Sequence, residues 1–337
     1  MSFTDVVNPS HEHLDDLVPV ELRDLAVAQS SLPRVAKDPV LSRKAEVAAQ
    51  GVPTAHQMFL ADARDASFLR SGSVHLVLTS PPYWTLKTYR ESAGQLGHVE
   101  DYASFVQQID RVWQHCYRAL VPGGRLVCVV GDVCLARRKN GGRHTVVPLH
   151  ASIQEHCRDI GFDNLAPIIW YKIANARYEV GRGGGFLGKP YEPNAVIKND
   201  IEYILMLRKP GAYRRPTLSA RVMSVIPQPL HRVWFQQIWT GLPGASTQDH
   251  PAPYPSELAE RLVRMFSFVG DTVLDPFSGT ATTSLAAARW GRNSIGIEID
   301  SHYFTRAVKR LRDSTNRLFT RATVEEHVAW VQKSKQE

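Results

Sequence analysis

Between Thr272 and Asp300 the chain reads TVLDPFSGTATTSLAAARWGRNSIGIEID. A short apolar stretch ends at Val273-Leu274, and Asp275-Pro276-Phe277-Ser278-Gly279-Thr280 makes a tight turn. The alanine and leucine content of Thr282 to Trp290 then predicts a helix, which Gly291 stops. A second strand over Ser294 to Ile299 carries Glu298 and ends at Asp300. Strand, glycine turn, helix and a strand closing on an acid form the nucleotide-binding half of a doubly wound sheet, with the acid available to ribose hydroxyls. Gly279 is the one glycine of the turn, so the three-glycine dinucleotide fingerprint is missing. A nucleoside without phosphates fits better than a pyrophosphate.

Almost two hundred residues upstream, Val74 to Trp84 reads VHLVLTSPPYW. It predicts a buried strand over Val74 to Leu78 that stops at Thr79-Ser80 and hands over to two prolines and two aromatics. Pro81 and Pro82 lack amide hydrogens and fix φ, so the carbonyls of Ser80 and Pro81 are held stiffly outside any ladder and can accept from a ligand. Ser80 adds a side-chain acceptor, and Tyr83 and Trp84 offer flat faces to a planar ring. Together these groups suit an aromatic amine. Taken alone, the stretch also reads as a strand ending in a rigid turn.

With TSPPYW preceding DPFSGTATT and GIEID, the chain resembles the S-adenosylmethionine-dependent DNA amino-methyltransferases, in the permuted order of their β group. The resemblance covers roughly Gln57 to Asp313. It implies an α/β fold, a doubly wound, mostly parallel Rossmann-like sheet with an inserted target-recognition region. It also implies S-adenosyl-L-methionine as cofactor and double-stranded DNA as partner. Ser80, Pro81, Pro82 and Tyr83 are then the catalytic residues, with Thr79, Asp275, Phe277, Ser278, Gly279, Thr280 and Glu298 around the cofactor. Asp62, after a first strand in HQMFLADARD, falls where the family places an acid on the adenine or ribose; capping the turn from Arg64 to Leu69 is an equal alternative. Pro253 and Tyr254 fall on the methionine side of the cofactor. Ser80 before the prolines matches the cytosine-N4 members, whereas adenine-N6 members usually carry an acid or Asn there. Adenine N6 is therefore the second reading, and a catalytically idle DNA-binding subunit or a methylase of RNA or protein amides are further ones. Neither a metal nor a covalent intermediate is needed. The resemblance leaves open a companion restriction endonuclease acting on the same site, and a homodimer.

The rest of the composition agrees. A chain of 337 residues with 43% hydrophobic content supports a large α/β domain with an insertion. No stretch is long and apolar enough to span a bilayer, and the polar N-terminus is unlike a signal peptide, so a cytoplasmic, nucleoid-associated protein with no membrane partner is expected. Cys116, Cys128, Cys134 and Cys157 show no zinc spacing, and none follows a proline as the nucleophile of a C5-cytosine methylase does.

In chain order, residues 1–50 read as an N-terminal arm, surface padding more than a packed element, and 51–172 as the catalytic half. Within it Tyr102 to Leu120 predicts a helix, closed by Pro122-Gly123-Gly124, and RLVCVVGDV a strand. The basic loop after that strand, with Arg137, Arg138 and Lys139, reads as a phosphate clamp. Lys87 and Tyr89 follow the proline motif and are placed to close over a base. His150 to Ile160 predicts a helix, and Leu165 to Lys172 and Asp200 to Leu207 two strands. From Lys172 to Asp249 there are 11 Lys or Arg against 5 Asp or Glu, +6 of the chain's +7. Residues 173–249 therefore read as an irregular nucleic-acid-reading surface, with Arg182, Arg214 and Arg215 reaching guanine edges, a solvated basic insertion being the alternative; Trp84 and Lys87 contact DNA at the flipped base instead. Residues 250–315 form the cofactor half, with Ser256 capping a helix and a basic helix over Phe304 to Arg312. Residues 316–337 read as a C-terminal helix.

Overall fold

The two motifs meet in the middle of one sheet. Strand β2 (Val74–Thr79) pairs in parallel with β9 (Thr272–Asp275), with Leu76 opposite Val273 and Val77 opposite Leu274. The computed structural model describes residues 14–24, 29–84, 96–99, 101–135, 137–172, 199–244, 255–316 and 322–328. Among these, nine strands form a sheet in the order β11-β1-β10-β9-β2-β3-β7-β6-β8. The others are β1 (Thr54–Leu60), β3 (Leu120–Val130), β6 (Asp163–Tyr171), β7 (Ile201–Arg208), β8 (Ile238–Trp239), β10 (Asn293–Glu298) and β11 (Ala322–Val328). Only the β3–β7 and β7–β6 pairings are antiparallel. Strands β4 (Val133–Leu135) and β5 (Thr145–Val147) make a separate two-stranded ribbon beyond the end of β3.

Alternation along the buried strands divides the core into two faces, as a two-sided sheet requires. Val77, Leu126, Cys128, Val130, Leu274 and Ile297 point to the side covered by helices Tyr102–Ala119 and Leu149–Ile160. Leu76, Leu78, Val127, Val129 and Val273 point to the side covered by Ser256–Phe266 and Thr282–Arg289. From β9 the chain moves toward β10 and β11, and from β2 toward β3. The winding therefore diverges between β9 and β2, and the crevice outside their C-terminal ends is where such sheets bind ligands. Thr79, Asp275, Glu298 and Asp62 all lie at that edge.

Several expectations change. Ser256 is the first helical residue and Pro255 the N-cap, because proline's fixed φ already suits the entry. Residues 322–328, expected to be helical, form edge strand β11 in parallel register with all of β1. β1 had a free edge to offer them, and His327 stacks on Phe59 at 4.5 Å there. Two short helices, Leu218–Met223 and Gln228–Trp234, occupy a stretch in which no period was evident.

The arm is packed rather than padding. Leu22, Val35, Ala45 and Ala49 form a core with Val222, Met223 and Val269 at the N-terminal ends of the strands. Gly291, at φ 71°, lies so close to the arm that a Cβ there would sit 2.3 Å from the Ala49 carbonyl oxygen.

At the same end, Arg214 grips the fully buried Asp271 with two hydrogen bonds, one of 2.7 Å from Nη1. Arg214 was expected on a DNA base; β7 runs antiparallel and carries it, with the exposed Arg215, to the edge opposite the crevice. Of the cations that made 172–249 look like one DNA surface, Lys172 pairs with Glu202, Arg208 with Asp163, and Lys209 donates to the carbonyls of Tyr117 and Leu120. Burial raises the Asp271 carboxyl, but Arg214, His75 and the Phe268 amide outweigh it and hold the group below the usual carboxylate range. The stability it contributes is therefore present above about pH 4 and lost as pH falls through its lower folded value. Replacing Arg214 by Ala strands a buried charge and should cost about 3–5 kcal/mol, read from urea unfolding at pH 7.

Candidate active site

Thr79 is the last residue of β2, and its hydroxyl donates to Oδ1 of Asp275, the last residue of β9, at 2.6 Å. The other Asp275 oxygen accepts from Thr283 Oγ1 at 2.7 Å, and the Phe277 amide donates back to Oδ1 at 3.1 Å. Thr283 also reaches the Leu78 carbonyl at 3.3 Å. One buried carboxylate thus joins the end of β2, the cofactor-type turn and the first turn of helix Thr282–Arg289. Burial raises its pKa above the ordinary value, and the three donors counter that only in part. Thr283 was missed from the sequence; its place in the helix's first turn, facing the preceding strand, was the available signal.

The turn after Asp275 is closed by its own amides. Ser278 N donates to the Ile297 carbonyl at 2.9 Å, Gly279 N to Glu298 Oε2 at 2.8 Å, and Ala281 N to the Ser278 carbonyl at 2.8 Å. Gly279 takes φ 52°, and Ala281, unusually for a residue with a Cβ, takes φ 63°. With Phe277, Ser278, Gly279 and Ala281 all donating inside the protein, the turn has no open amide cradle for a pyrophosphate. The donor set fits S-adenosyl-L-methionine, a nucleoside without phosphates. The half-buried Phe277 ring stands edge-on to Trp113 at 6.1 Å, the Ser278 hydroxyl is buried with no hydrogen-bond partner among the described residues, and acids lie at the ends of β1 and β10. Ser278 can lie flat on β10 because residue 296 is glycine; a Cβ there would come within 2.8 Å of Ser278 Oγ. Thr280, expected at the cofactor, turns to Arg310, which donates to its carbonyl and hydroxyl.

Glu298 does more than wait for a ligand. Its second oxygen accepts from Asp300 N at 2.8 Å, so the carboxylate ties the turn to the end of β10, and Asp300 itself caps helix Ser301–Thr315. Burial pushes the Glu298 carboxyl up to about 7, although both amides oppose this. Asp62 caps the turn Ala63–Asp65 through the Arg64 amide and also holds the Arg64 guanidinium.

On the β2 side, Pro81 and Pro82 are buried and Ser80 is half-buried. No donor among the described residues reaches the Ser80 or Pro81 carbonyl. Tyr83 is 5% exposed, so the open stacking face expected of it is closed. Its hydroxyl donates to the Val129 carbonyl at 3.4 Å and lies 3.2 Å from Ser80 Oγ. Either hydroxyl can donate in this contact, and in both cases Ser80 Oγ keeps a lone pair as acceptor. Trp84 is held at φ 43° by its indole N–H, which donates to the Val99 carbonyl at 2.8 Å, and it packs edge-on to Tyr102. Both non-glycine residues with positive φ among those described, Trp84 and Ala281, therefore follow the two motifs; such conformations cost about 1–3 kcal/mol each.

Beyond β3, Asp132 holds His150 Nδ1 at 2.6 Å, and the His150 ring stacks on Tyr203 at 3.8 Å. No spacing in the sequence links these residues. Arg137 and Arg138 are exposed at the tip of the β4–β5 ribbon, which leaves the sheet at the crevice edge, and Lys139 completes the same turn. Lys87, Tyr89, Arg182, Pro253 and Tyr254 lie outside the described residues. The three most buried cysteines have thiol pKa values raised by burial, which suits core packing rather than nucleophilic attack.

This geometry has two measurable consequences. Thr79→Val and Asp275→Asn should show a coupling of about 1–3 kcal/mol in a double-mutant cycle of urea unfolding, and each should weaken cofactor binding in a direct titration. Because the folded Glu298 pKa lies above that of an unfolded glutamate, its contribution is full below about pH 4.5 and is lost as pH rises through about 7. Relative to Glu298→Gln, the wild-type protein without cofactor should lose about 2.5 kcal/mol of stability between pH 5 and pH 8, measured by unfolding across that range.

Comparison with known proteins agrees with this arrangement. The model of a DNA methylase family acting at N4 and N6 matches residues 74–309. The type II methyltransferase M.MjaI of Methanocaldococcus jannaschii is 38% identical over 279 residues, 74% of this chain and 88% of its own. M.MthZI of Methanothermobacter thermautotrophicus is 34% identical over 272 residues, 74% of each chain. A Thermus thermophilus protein described as a putative DNA modification methylase, solved with S-adenosyl-L-methionine, is 50% identical with a TM-score of 0.67, covering 82% of this chain and 99% of its own. PvuII DNA methyltransferase, at 18% identity and a TM-score of 0.54 over 82% of this chain and 96% of its own, shares the fold. The chain belongs to the N4/N6 DNA methylase family and is an S-adenosyl-L-methionine-dependent DNA methyltransferase.

Proposed function

We propose that the protein methylates the exocyclic N4 of a cytosine flipped out of duplex DNA at a specific sequence. The observation that carries this reading is the Thr79–Asp275 hydrogen bond, which sets Ser80-Pro81-Pro82 directly beside the cofactor turn. The choice of base rests on Ser80, the residue found before the prolines in the cytosine-N4 members that the motif resembles. Methylation within a restriction-modification pair agrees with the type II methyltransferases to which the chain is related.

The chemistry follows from the groups at the edge. An exocyclic amine is a poor nucleophile because its lone pair is delocalised into the ring. The Ser80 hydroxyl and the Pro81 carbonyl are acceptors for its two hydrogens; binding both favours a pyramidal nitrogen with the lone pair free. Bound S-adenosyl-L-methionine supplies a methyl group activated by its sulfonium. As the nitrogen–carbon bond forms and the carbon–sulfur bond breaks, the same acceptors stabilise the positive charge on nitrogen until a proton leaves to water. In a duplex that amine is paired and stacked, so the nucleotide turns out into the crevice. Tyr83 supports the Ser80 hydroxyl from below, and Arg137 and Arg138 on the ribbon tip are placed to contact the phosphates.

Incubation with labelled cofactor and genomic DNA, followed by digestion to nucleosides, should yield N4-methylcytosine; N6-methyladenine alone rejects the choice of base. Ser80→Ala should lower kcat about 100-fold while cofactor affinity is retained.

A further inference from the structure

At the end of the sheet opposite the crevice lies a cavity of about 490 Å³, walled by the arm, the start of β3, residues 213–231 and the end of helix Ser256–Phe266. Arg125, Arg214, Arg221 and Arg264 line it together with two histidines, and among the described residues no aspartate or glutamate does. The cavity lies roughly 16 Å from the catalytic end of the sheet, since five residues of β3 separate Arg125 from Val130.

The four guanidiniums are not equivalent. Asp271 neutralises Arg214 and Glu46 neutralises Arg264, the latter at 2.7 Å, and both carboxylates stand behind their arginines rather than in the cavity. Arg125 differs. Among the described residues no carboxylate pairs with it; its guanidinium lies over the Phe266 ring at 5.1 Å, and its charged neighbour is another cation, Arg208. A partly buried guanidinium without an acid is costly to hold, and the fold retains it facing a cavity. Phe266, Phe268 and Tyr213 add aromatic rings, each with a guanidinium over one face, from Arg125, Arg214 and Arg208 respectively, and Tyr213 is largely exposed. Phosphate is the anion that guanidinium geometry matches best, and planar rings stack on the aromatic and guanidinium faces. The volume lies within the range of small-molecule sites.

We propose that this cavity is a second binding site, separate from the methyl-transfer crevice, that takes a free nucleoside phosphate: its phosphate on Arg125 and its base against the exposed Tyr213. The cationic sulfonium donor has no counter-charge here, and a concave site of this size suits one nucleotide rather than a duplex.

Calorimetric titration of the full chain, saturated with S-adenosyl-L-methionine, with adenosine and guanosine mono- and triphosphates tests this. Expected is saturable binding of at least one nucleotide, weakened tenfold or more in Arg125→Gln and partly restored in Arg125→Lys, with S-adenosyl-L-methionine affinity unchanged in both variants. Absence of saturable binding up to millimolar nucleotide, or binding unaffected by Arg125→Gln, overturns the proposal. Equal affinity for inorganic phosphate overturns the nucleotide assignment, and displacement of the nucleotide by a short DNA duplex makes the cavity a nucleic-acid contact instead.

Discussion

A single buried carboxylate organises the catalytic edge. Asp275 accepts from a threonine almost two hundred residues away, from a threonine in the first turn of the following helix and from an amide of its own turn. The proline segment and the cofactor turn therefore cannot shift independently. A buried acid surrounded by donors is stable only while all are present, because any one removed leaves charge or a lone pair unmet in a low-dielectric interior. The two motifs come from different halves of the chain, and this network fixes the spacing between them.

Around that point the protein closes its own polar groups and leaves few open. The amides of the cofactor turn are used internally, Glu298 is held by two of them, and Tyr83 is folded under Ser80. What stays open among the described residues is acceptor capacity: the carbonyls of Ser80 and Pro81 and a lone pair of the Ser80 hydroxyl. An edge rich in acceptors and poor in free amides suits an amine and a sulfonium, and it repels phosphate. The strained backbone at Trp84 and Ala281 marks where the surrounding packing forces the chain to turn away from each strand.

The opposite end has the reverse character. Charges that looked like one DNA-reading surface in the sequence are distributed between two edges of the sheet, and several of them serve folding. Arg214 secures Asp271 under the arm, Arg208 bridges to Asp163, and Lys209 caps carbonyls at the end of helix Tyr102–Ala119. The arm completes a core with helix Leu218–Met223, far from the chemistry, while Tyr171 and Ile201 pair at the catalytic edge.

The sequence by itself determined the local elements whose signals are local: two strands that end in special turns, the helix between Gly279 and Gly291, and an acid closing β10. Their backbone preferences are set by proline, glycine and side-chain periodicity within a few residues, and they placed Ser80, Asp275, Phe277 and Glu298 at strand ends. Tertiary structure alone decided which partner each polar group found. Arg214 paired with Asp271 rather than a base, Thr280 turned to Arg310, Tyr83 closed under Ser80, and residues 322–328 became a strand because β1 had an edge to offer. Hydrogen bonds and ion pairs across tens or hundreds of residues leave no periodic trace in a chain, since their energy depends on where the sheet order brings the groups and not on the residues between them.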